Sequence, residues 1–537
     1  MYSALRKKTK NYRRPLVIGA GVLTALLVFT AYLRTLAPTI LYYDLPDLRD
    51  AAVLQVKANV LGVPDYTGYP TYVMLGKLFT YLPFGDAAYR VSLSSAVYAA
   101  VAVFLVYWIS VKLTGRPVAA IAGAAAFGLG ETLWRQAIIA EVYTLNALFI
   151  SLTVLVLLIW RESRRDGHLL LAAFLMGFSM TDHITSGLLL PGGILFVFLV
   201  ERRKLREWRL VLKGAGLFLV GLLPYAFIPI RASMDYLPKG FVWGQPLLQE
   251  HPPNTFYGFF VLVSGGHWKG RMFEFGPSEL PGRIMLYLEH FYGYLGHYSL
   301  ALVLVGICGA FYLLYRDLAG AGLMLFLYFG WTIHAIEYDI EDIYVYFIPT
   351  FLIFAVFISA GFAVALDLAQ TKISRSSLRT ATTLALTLGI LFAPLYGLSA
   401  TIREVDMSND YRGRAMIETV VEEVKPNSSI LHHRSPLNYM LLVEKRRTDI
   451  TVVNYIEDPK PPPLDKVRAA IERGPVYILF PEKETNYYFP GVEASRELYE
   501  DAGFRLKTID EDLLLYEVLK DKPVVDTPPH PKGSNIS

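Results

Sequence analysis

Cysteine and charged residues are scarce in this chain. Cys308 is the one cysteine among 537 residues and stands inside an apolar run. A single cysteine excludes an intramolecular disulfide and a CxxC metal site. Charged residues make up 18% of the sequence and hydrophobic residues 54%, a balance that is rare in soluble proteins of this length. No internal repeat and no Gly-rich phosphate loop is present. These absences favour a membrane protein without thiol chemistry.

Apolar runs of roughly 20 residues, long enough to cross a hydrocarbon core of about 30 Å, recur over the first 400 residues. The first follows a basic N-terminus and has no small-residue cleavage site, so we expect an uncleaved helix. Residues 168–200, predicted here as two spans, could also be one broken pair of helices. We predict about eleven transmembrane helices, near residues 15–33, 87–111, 117–133, 141–160, 168–183, 186–200, 210–230, 286–314, 318–336, 344–366 and 380–399.

The basic residues of the loops indicate an orientation. Lys and Arg are frequent in the loops at 112–116, 161–165, 202–209 and 372–379. Arg135 is the single Lys or Arg in the short loops at 131–141, 181–187 and 337–342. The positive-inside rule places the basic loops in the cytoplasm. We therefore predict a multi-pass protein of the plasma or inner membrane with a cytoplasmic N-terminus and an external C-terminal region.

Two of the predicted outer loops are long. The loop 34–86 contains an interfacial helix predicted near 47–61, and the loop 231–285 is rich in aromatic residues, Gly and Pro. Together with the spans they form a predicted membrane domain over residues 1–399. Its fold class is mainly α, a polytopic transmembrane helical bundle.

After residue 400 the apolar runs shorten and charged residues become frequent. Strands are predicted at Ser429–Leu431, Ile450–Val453, Val476–Phe480 and Leu513–Val518, with helices at 412–424, 436–446, 464–473 and 493–502. Alternating strands and helices predict a small extracytoplasmic α/β domain over 400–520. Residues 521–537 are expected to be a disordered tail.

Ionisable residues near the membrane are costly and are therefore candidates for function. Here they stand at the predicted outer ends of helices, at Asp44, Asp47, Asp50, Glu141, Asp182, His183 and Arg231, and in the loop with Glu337, Asp339, Glu341 and Asp342. Each also has a structural interpretation. Asp47 and Asp50 could form a solvated helix face, Arg231 could reach lipid head groups, and His183 could bridge two helices.

Three stretches of the sequence resemble a known family. They are LAPTILYYDLPDLRDAA from Leu36, GVPDYTGYPTYVMLGKLFTYLPFGDAAYRVSLSSA from Gly62, and WRQAIIAEVYTLNALF from Trp134. They are similar to a family of polytopic proteins, formerly a domain of unknown function, that includes the eukaryotic O-mannosyltransferase acting on plexin-type receptors. The shared features are an acidic pair after the first helix, a Gly-Tyr-Pro turn, and Glu-Val-Tyr-x-Leu-Asn opening a later helix. The similarity is clear over about residues 30–235.

The resemblance implies a GT-C-like fold and a glycosyltransferase that uses a polyprenyl-phosphate sugar. In such enzymes an acidic residue of the first outer loop is the catalytic base, which by position is Asp44 here. The family usually has Glu at the position of Asp47, His-Pro-Pro at Asp65 to Thr67, and His-His at Asp182 and His183. The implied site contains the catalytic residues Asp44 and Asp47, the donor-binding residues Arg231, His183, Asp182, Glu141 and Tyr143, and the site-shaping or acceptor residues Gly68, Tyr69, Pro70 and Asp65.

The chemistry of glycosyl transfer fits these side chains. A carboxylate takes the acceptor proton while the anomeric carbon becomes oxocarbenium-like, and Asp44 is our choice, with Asp47 orienting the acceptor or tuning the pKa of Asp44. A guanidinium binds phosphate oxygens as a fork, which suits Arg231, and His183 could add a hydrogen bond. No metal or other cofactor is required by the sequence. The expected partners are membrane lipid, the lipid-linked donor and an exported protein or glycan, with no nucleic acid.

Two further classes of protein remain open at this point. A transporter or flippase of a lipid-linked or small polar substrate would usually carry its charged groups at the bilayer midplane. A catalytically inactive scaffold would present the C-terminal domain to a partner. The sequence does not name the sugar, the carrier lipid or the acceptor.

Overall fold

The computed structural model describes residues 14–42, 50–234, 251–266, 269–293, 296–432, 436–453, 464–480 and 492–520. The chain divides into two compact units between Arg414 and Ala415. The domain boundary predicted from composition stands at residue 400, and the predicted tail 521–537 lies outside the described residues.

The first unit is mainly helical in its described residues. Its α-helices are α1 (Arg14–Thr35), α2 (Ala51–Val60), α3 (Pro70–Phe79), α4 (Ala87–Thr114), α5 (Pro117–Gly128), α6 (Glu131–Ala137), α7 (Tyr143–Ser163), α8 (Asp166–Met180), α9 (Leu189–Glu201), α10 (Trp208–Gly221), α11 (Phe227–Ala232), α12 (Phe256–Val263), α13 (Leu280–Tyr292), α14 (Leu300–Arg316), α15 (Leu318–Ile336), α16 (Ile348–Lys372), α17 (Ser376–Phe392) and α18 (Leu398–Val405). Short 3₁₀ helices cover Ile184–Leu188, Arg202–Arg206, Leu223–Ala226, Lys269–Arg271, Ile343–Phe347 and Ala393–Leu395.

The described helices confirm a polytopic membrane bundle. Eight of their segments are long and apolar enough to cross a membrane, and α5 and α6, bent by 64° at their junction, make a ninth. The shorter apolar helices α8 and α14 stand at two further predicted positions. The protein is therefore an integral, multi-pass membrane protein.

The span predicted at 286–314 is wrong. α13 ends at Tyr292 and α14 begins at Leu300, so two helices replace one. Gly293 and Gly296 stand in the break, where glycine weakens a helix, and Tyr298 donates a hydrogen bond from its hydroxyl to the Phe351 carbonyl oxygen at 2.5 Å. The prediction joined the apolar run that begins at Leu300 to the aromatic-rich segment before it and passed over the break between them.

The centre of the bundle is α16, which packs against α14, α5, α4 and α15. Glycine allows the closest crossing. A Cβ on Gly361 of α16 would collide with the Val305 carbonyl of α14, and a Cβ on Gly309 would collide with the Phe357 carbonyl. Close approach of backbones at small residues is a usual mode of helix association in membranes, where the surrounding lipid is itself apolar.

Ion pairs gather at one end of the bundle. Arg161 Nη1 lies 2.5 Å from Asp317, Lys112 Nζ lies 2.7 Å from Glu162, and Arg164 pairs with Glu201. We call this the arginine end. The opposite end, here the site end, is formed by segments 36–42, 50–86, 138–142, 181–183 and 337–342.

The second unit is an α/β domain. It contains most of α19 (Arg412–Glu423), then β1 (Ser429–Leu431), α20 (Leu437–Leu442), β2 (Thr451–Val453), α21 (Leu464–Ile471), β3 (Val476–Leu479), α22 (Val492–Asp501), β4 (Phe504–Asp510) and β5 (Leu515–Lys520). The strand order is β2-β1-β3-β5-β4, with β1 parallel to β2 and β3, and β5 antiparallel to β3 and β4. The sequence prediction of a small C-terminal α/β domain is confirmed.

Two details of this unit were predicted wrongly. Strand β4 was missed, because Phe504 and Leu506 alternate with Arg505 and Lys507 in an edge strand that has too few apolar residues to stand out. The helix predicted at 436–446 ends at Leu442. Lys445 and Arg447 adopt positive φ, which ends helical structure.

Candidate active site

Helix α2 lies at the site end, and the side chain of one glutamine holds it there. The fully buried Gln55 side chain donates to Ser92 Oγ at 3.0 Å and to the Thr39 and Ala88 carbonyl oxygens at 3.3 Å. Its Oε1 accepts the Leu41 amide at 3.2 Å. The interfacial helix predicted at 47–61 is thus a largely buried helix over Ala51–Val60. It is held between the chain before it and α4.

The Gly-Tyr-Pro turn joins α2 to α3. Gly68 has φ +73°, and a Cβ there would lie 2.9 Å from Leu262 and 3.1 Å from Ile228, so glycine is needed for both backbone and space. The Tyr69 hydroxyl accepts the Asp65 amide at 3.2 Å and lies 3.3 Å from the Asp65 carboxylate. Pro70 is the first residue of α3, where its fixed φ is favourable.

Asp65 forms a partly buried ion pair. Its Oδ2 lies 2.6 Å from Lys57 Nζ, and the Lys57 side chain is only 3% exposed. The sequence assigned Asp65 to the shape of the site, and the pair ties the Gly-Tyr-Pro turn to α2.

Glu141 and Asn146 connect the start of α7 to its neighbours. The Glu141 amide donates to Ser95 Oγ of α4 at 3.1 Å, and Ser95 donates back to the Glu141 carbonyl at 3.2 Å. Asn146 accepts a hydrogen bond from Ser186 at 2.6 Å. The Glu-Val-Tyr-x-Leu-Asn motif therefore fixes α7 against both α4 and the segment that follows α8.

Asp182 and His183 follow α8 and are almost completely buried. The Thr71 amide donates to the Thr181 carbonyl at 3.2 Å, and the two threonine hydroxyls lie 2.6 Å apart, which places this segment against α3. Both carboxylate oxygens of Asp182 lack a hydrogen-bond partner among the described residues. Burial raises the pKa of Asp182 well above its ordinary value, since a charge in an apolar environment is costly.

His183 lies among aromatic rings from three helical segments. Its Nδ1 is 2.7 Å from Thr185 Oγ1, and its ring centroid lies 5.5 Å from those of Tyr143 and Tyr346. Burial, followed by the nearby His334, lowers the pKa of His183 to about 3. The imidazole is therefore neutral at physiological pH and can act as a hydrogen-bond donor or acceptor.

The segment 337–342 joins the same site. Tyr346, which follows it, contacts Tyr143 with ring centroids 5.9 Å apart, and Tyr143 lies within electrostatic reach of Asp342. The Phe273 amide donates to the Glu337 carbonyl at 2.8 Å. Sequence reasoning singled out the acidic residues of this loop but missed Tyr346 and His334, which stand in apolar helical runs without a distinguishing motif.

Arg231 occupies a different position from the one expected of a phosphate ligand. Its Nε donates to the Leu61 carbonyl at 2.7 Å and its Nη2 to the Val60 carbonyl at 2.9 Å. These are the carbonyls at the C-terminal end of α2, where a cation is favourable. The guanidinium fork thus holds backbone in this structure, and donor binding by Arg231 remains a prediction.

The predicted catalytic residues Asp44 and Asp47 lie outside the described residues. The described chain on either side ends at Tyr42, which is buried, and resumes at Asp50, which precedes α2. Within the described ranges there is no group of three His, Cys, Asp or Glu residues placed to hold a metal ion.

The comparisons with known proteins agree with the resemblance found in the sequence. The family model described as the protein O-mannosyl-transferase TMEM260 N-terminal domain matches residues 50–207. The protein O-mannosyl-transferase TMEM260 of Mus musculus is 32% identical over 228 residues, which are 40% of this chain and 32% of that protein. The chain spans about a third of the length of the curated relatives it matches.

Two solved structures share the fold. ArnT from Cupriavidus metallidurans bound to undecaprenyl phosphate superposes with a TM-score of 0.52 at 12% identity, covering 93% of this chain and 97% of that one. The oligosaccharyltransferase of Archaeoglobus fulgidus in the apo form gives a TM-score of 0.53 at 12% identity, covering 88% and 70%. Residues 50–207 are therefore similar to the N-terminal domain of the TMEM260 protein O-mannosyl-transferases, and the predicted GT-C-like helical bundle is the fold of this chain.

Proposed function

We propose that this chain is a membrane glycosyltransferase that transfers a sugar from a polyprenyl-phosphate donor to an acceptor hydroxyl. The observation that carries the proposal is the convergence of Asp65, Glu141, Tyr143 and His183 at one end of the bundle. The sequence singled out these residues separately, and they come from three distant stretches of the chain. ArnT, which has a similar fold, is bound to a polyprenyl phosphate in its structure.

The reaction needs three events at this end of the bundle. A base accepts the proton of the acceptor hydroxyl, the acceptor oxygen bonds to the anomeric carbon, and the bond from that carbon to the phosphate oxygen breaks. The polyprenyl phosphate leaves with the electron pair. Asp44 is the proposed base and Asp47 the proposed acceptor-orienting residue, both by their position in the resemblance.

The described residues suit the donor side of this reaction. A neutral His183 can donate a hydrogen bond to a phosphate oxygen without bringing a charge that must be desolvated. Tyr143 and Tyr346 hold the imidazole ring in place. Acceptors are proposed to be hydroxyls of exported protein or glycan, and the site end is proposed to face the non-cytoplasmic side, as the loop charges predict.

A donor panel tests the proposal. Purified protein in lipid nanodiscs is incubated with polyprenyl phosphates carrying mannose, glucose, N-acetylglucosamine or arabinose, together with an extract of exported proteins and glycans. We expect one donor to be consumed, with release of polyprenyl phosphate and labelling of the acceptor fraction. The Asp44→Asn protein is the control for enzyme-dependent consumption.

The same preparation separates the rival functions. A flippase would move an intact lipid-linked sugar across the bilayer of a proteoliposome without consuming it. A scaffold would neither consume nor move the donor. Either result, with a folded protein, would contradict the proposed transferase.

A further inference from the structure

Three buried side chains, two at the site end and one on the adjoining helix α4, have polar atoms without a hydrogen-bond partner among the described residues. They are the hydroxyls of Tyr72 and Tyr98 and both carboxylate oxygens of Asp182. Tyr72 is fully buried, Tyr98 is 7% exposed and Asp182 is 1% exposed. We call these three residues the Asp182 cluster. Ser94 and Ser95 of α4 lie near the two hydroxyls, so the stronger observation is the carboxylate of Asp182, both oxygens of which lack a partner among the described residues. A buried polar atom without a partner is costly, so this carboxylate and the hydroxyls beside it point to a ligand that supplies hydrogen bonds.

The three side chains come from different elements but lie close together. The paired threonines Thr71 and Thr181 are the chain neighbours of Tyr72 and Asp182, and they hold α3 against the end of α8. Tyr98 of α4 lies within electrostatic reach of Asp182, and Tyr72 within reach of Tyr98. Tyr72 and Tyr98 also belong to one packed apolar cluster.

The charge of the cluster selects the kind of ligand. No cation of the described residues forms an ion pair with Asp182. A phosphate would place its negative charge in a buried site where no Lys or Arg pairs with it or with Asp182, which is unfavourable. A neutral ligand with several hydroxyls can instead donate to the carboxyl oxygens and exchange hydrogen bonds with the tyrosines, while the aromatic rings contact its C–H faces.

We propose that the Asp182 cluster binds hydroxyl groups of the transferred sugar and selects the sugar by them; this inference rests on the proposed transferase function. Asp182 then contacts the sugar, and other residues bind the phosphate. Burial, which raises the pKa of Asp182, favours the protonated carboxyl. A protonated carboxyl both donates and accepts, as two neighbouring sugar hydroxyls require.

The experiment combines variants with donors that lack single hydroxyls. Wild type, Asp182→Ala and Tyr98→Phe are each assayed with the parent donor and with its deoxy analogues, one hydroxyl removed at a time. Donor KM, kcat and equilibrium binding are measured, so that one readout does not depend on turnover. Asp166→Ala, at the arginine end, is the matched control for loss of one carboxyl group.

The expected result is a pattern specific to one or two hydroxyls. Wild type should bind the analogue that lacks a contacted hydroxyl roughly 10-fold or more weakly than the parent donor. Asp182→Ala, which removes both the donor and the acceptor, should lose a similar factor on the parent donor and little further on that analogue, because the contact is already absent. Analogues lacking other hydroxyls should lose affinity equally in both proteins.

The alternative results overturn the inference in distinct ways. If Asp182→Ala and Tyr98→Phe weaken every analogue by the same factor, the cluster binds only water or stabilises the fold. If wild type transfers sugar but neither variant changes donor binding, the inference fails while the proposed function stands. If wild type consumes no donor, the proposed function fails, and a lack of hydroxyl-dependent binding in the same panel rejects the sugar site as well.

Discussion

Arg231 Nε lies 2.7 Å from the carbonyl oxygen of Leu61, so a side chain of α11 closes the C-terminal end of α2. A second cation does the same nearby, since Lys77 Nζ lies 2.5 Å from the Asn59 carbonyl. Both side chains satisfy carbonyls that a helix end leaves without a partner and oppose its partial negative charge. They hold the helix that directly follows the predicted catalytic segment.

Arg231→Met is expected to loosen α2. Loss of two hydrogen bonds from a charged donor should lower the free energy of unfolding by on the order of 2 kcal/mol. Arg231→Lys keeps the charge but cannot form the fork, so its stability should lie between those of Arg231→Met and wild type. Melting temperature in detergent and hydrogen exchange of residues 51–60 measure the effect, with the exposed Arg203→Met as control. Unchanged stability together with a higher donor KM would instead support the phosphate-binding role predicted from the sequence.

Gly361→Ala should destabilise the bundle, whereas Gly389→Ala should not. A Cβ on Gly361 meets the Val305 carbonyl, but a Cβ on Gly389 meets nothing within 4 Å. Overpacking typically costs about 1–3 kcal/mol, while alanine at an open helical position gains up to about 1 kcal/mol over glycine. Detergent thermal stability of the two variants compares them directly. Equal stability would show that α14 and α16 can separate without cost.

The pH dependence of stability should change in Asp182→Asn. The folded state holds the Asp182 proton at a pH where the unfolded chain, with a pKa near 3.8, has released it. The unfolded state then binds fewer protons, so this group makes stability fall as pH rises from about 4 towards the raised pKa. His183 acts in the opposite direction below about pH 6.5, since its pKa is lowered on folding.

The measurement is the melting temperature from pH 4 to 8 for wild type and Asp182→Asn, because their difference removes the contribution of His183. The variant should gain stability relative to wild type as pH rises. Parallel curves would mean that the carboxyl is ionised in the folded protein.

Asp44→Asn is expected to abolish most transfer activity while leaving the fold intact. Loss of a general base typically lowers the rate by about 10²–10⁴, and the substitution removes no apolar contact. Asp50→Asn, at the start of α2, should have a much smaller effect. Initial rates are compared with melting temperature as the folding control. If Asp44→Asn transfers sugar at the wild-type rate, Asp47 becomes the next candidate.

Cysteine labelling can establish the orientation, because Cys308 is the only cysteine to remove. On a Cys308→Ala background, Ser233→Cys at the exposed end of α11 should react with a membrane-impermeant maleimide in intact cells. Gly167→Cys, where an added Cβ meets nothing within 4 Å, should react only after lysis. The reversed pattern would place the site end in the cytoplasm and contradict transfer on the external side.

The sequence predicted the bundle well because membrane helices need long apolar runs that hydropathy detects. It failed at 286–314, where an aromatic-rich helix and an apolar helix are separated by a break that lies between two predicted boundaries. The Gly-Tyr-Pro turn and the Glu141 motif were found through the resemblance. The buried hydroxyls of Tyr72 and Tyr98 were not found, because a tyrosine in an apolar helix has the same local sequence pattern whether or not its hydroxyl has a hydrogen-bond partner. Such contacts between distant residues require the fold.

The ion pair between Lys57 and Asp65 constrains how this region can change. Neutralising only one partner leaves a buried charge, which typically costs about 3–5 kcal/mol, whereas replacing both by apolar residues can be nearly neutral. The two positions should therefore vary together among homologues. Family members with His-Pro-Pro where this chain has Asp65 to Thr67 lack that acid, so we expect their residue at the position of Lys57 to be uncharged or paired elsewhere. The presence of Asp65 where the family has His-Pro-Pro is then one of two linked substitutions, the other being at Lys57.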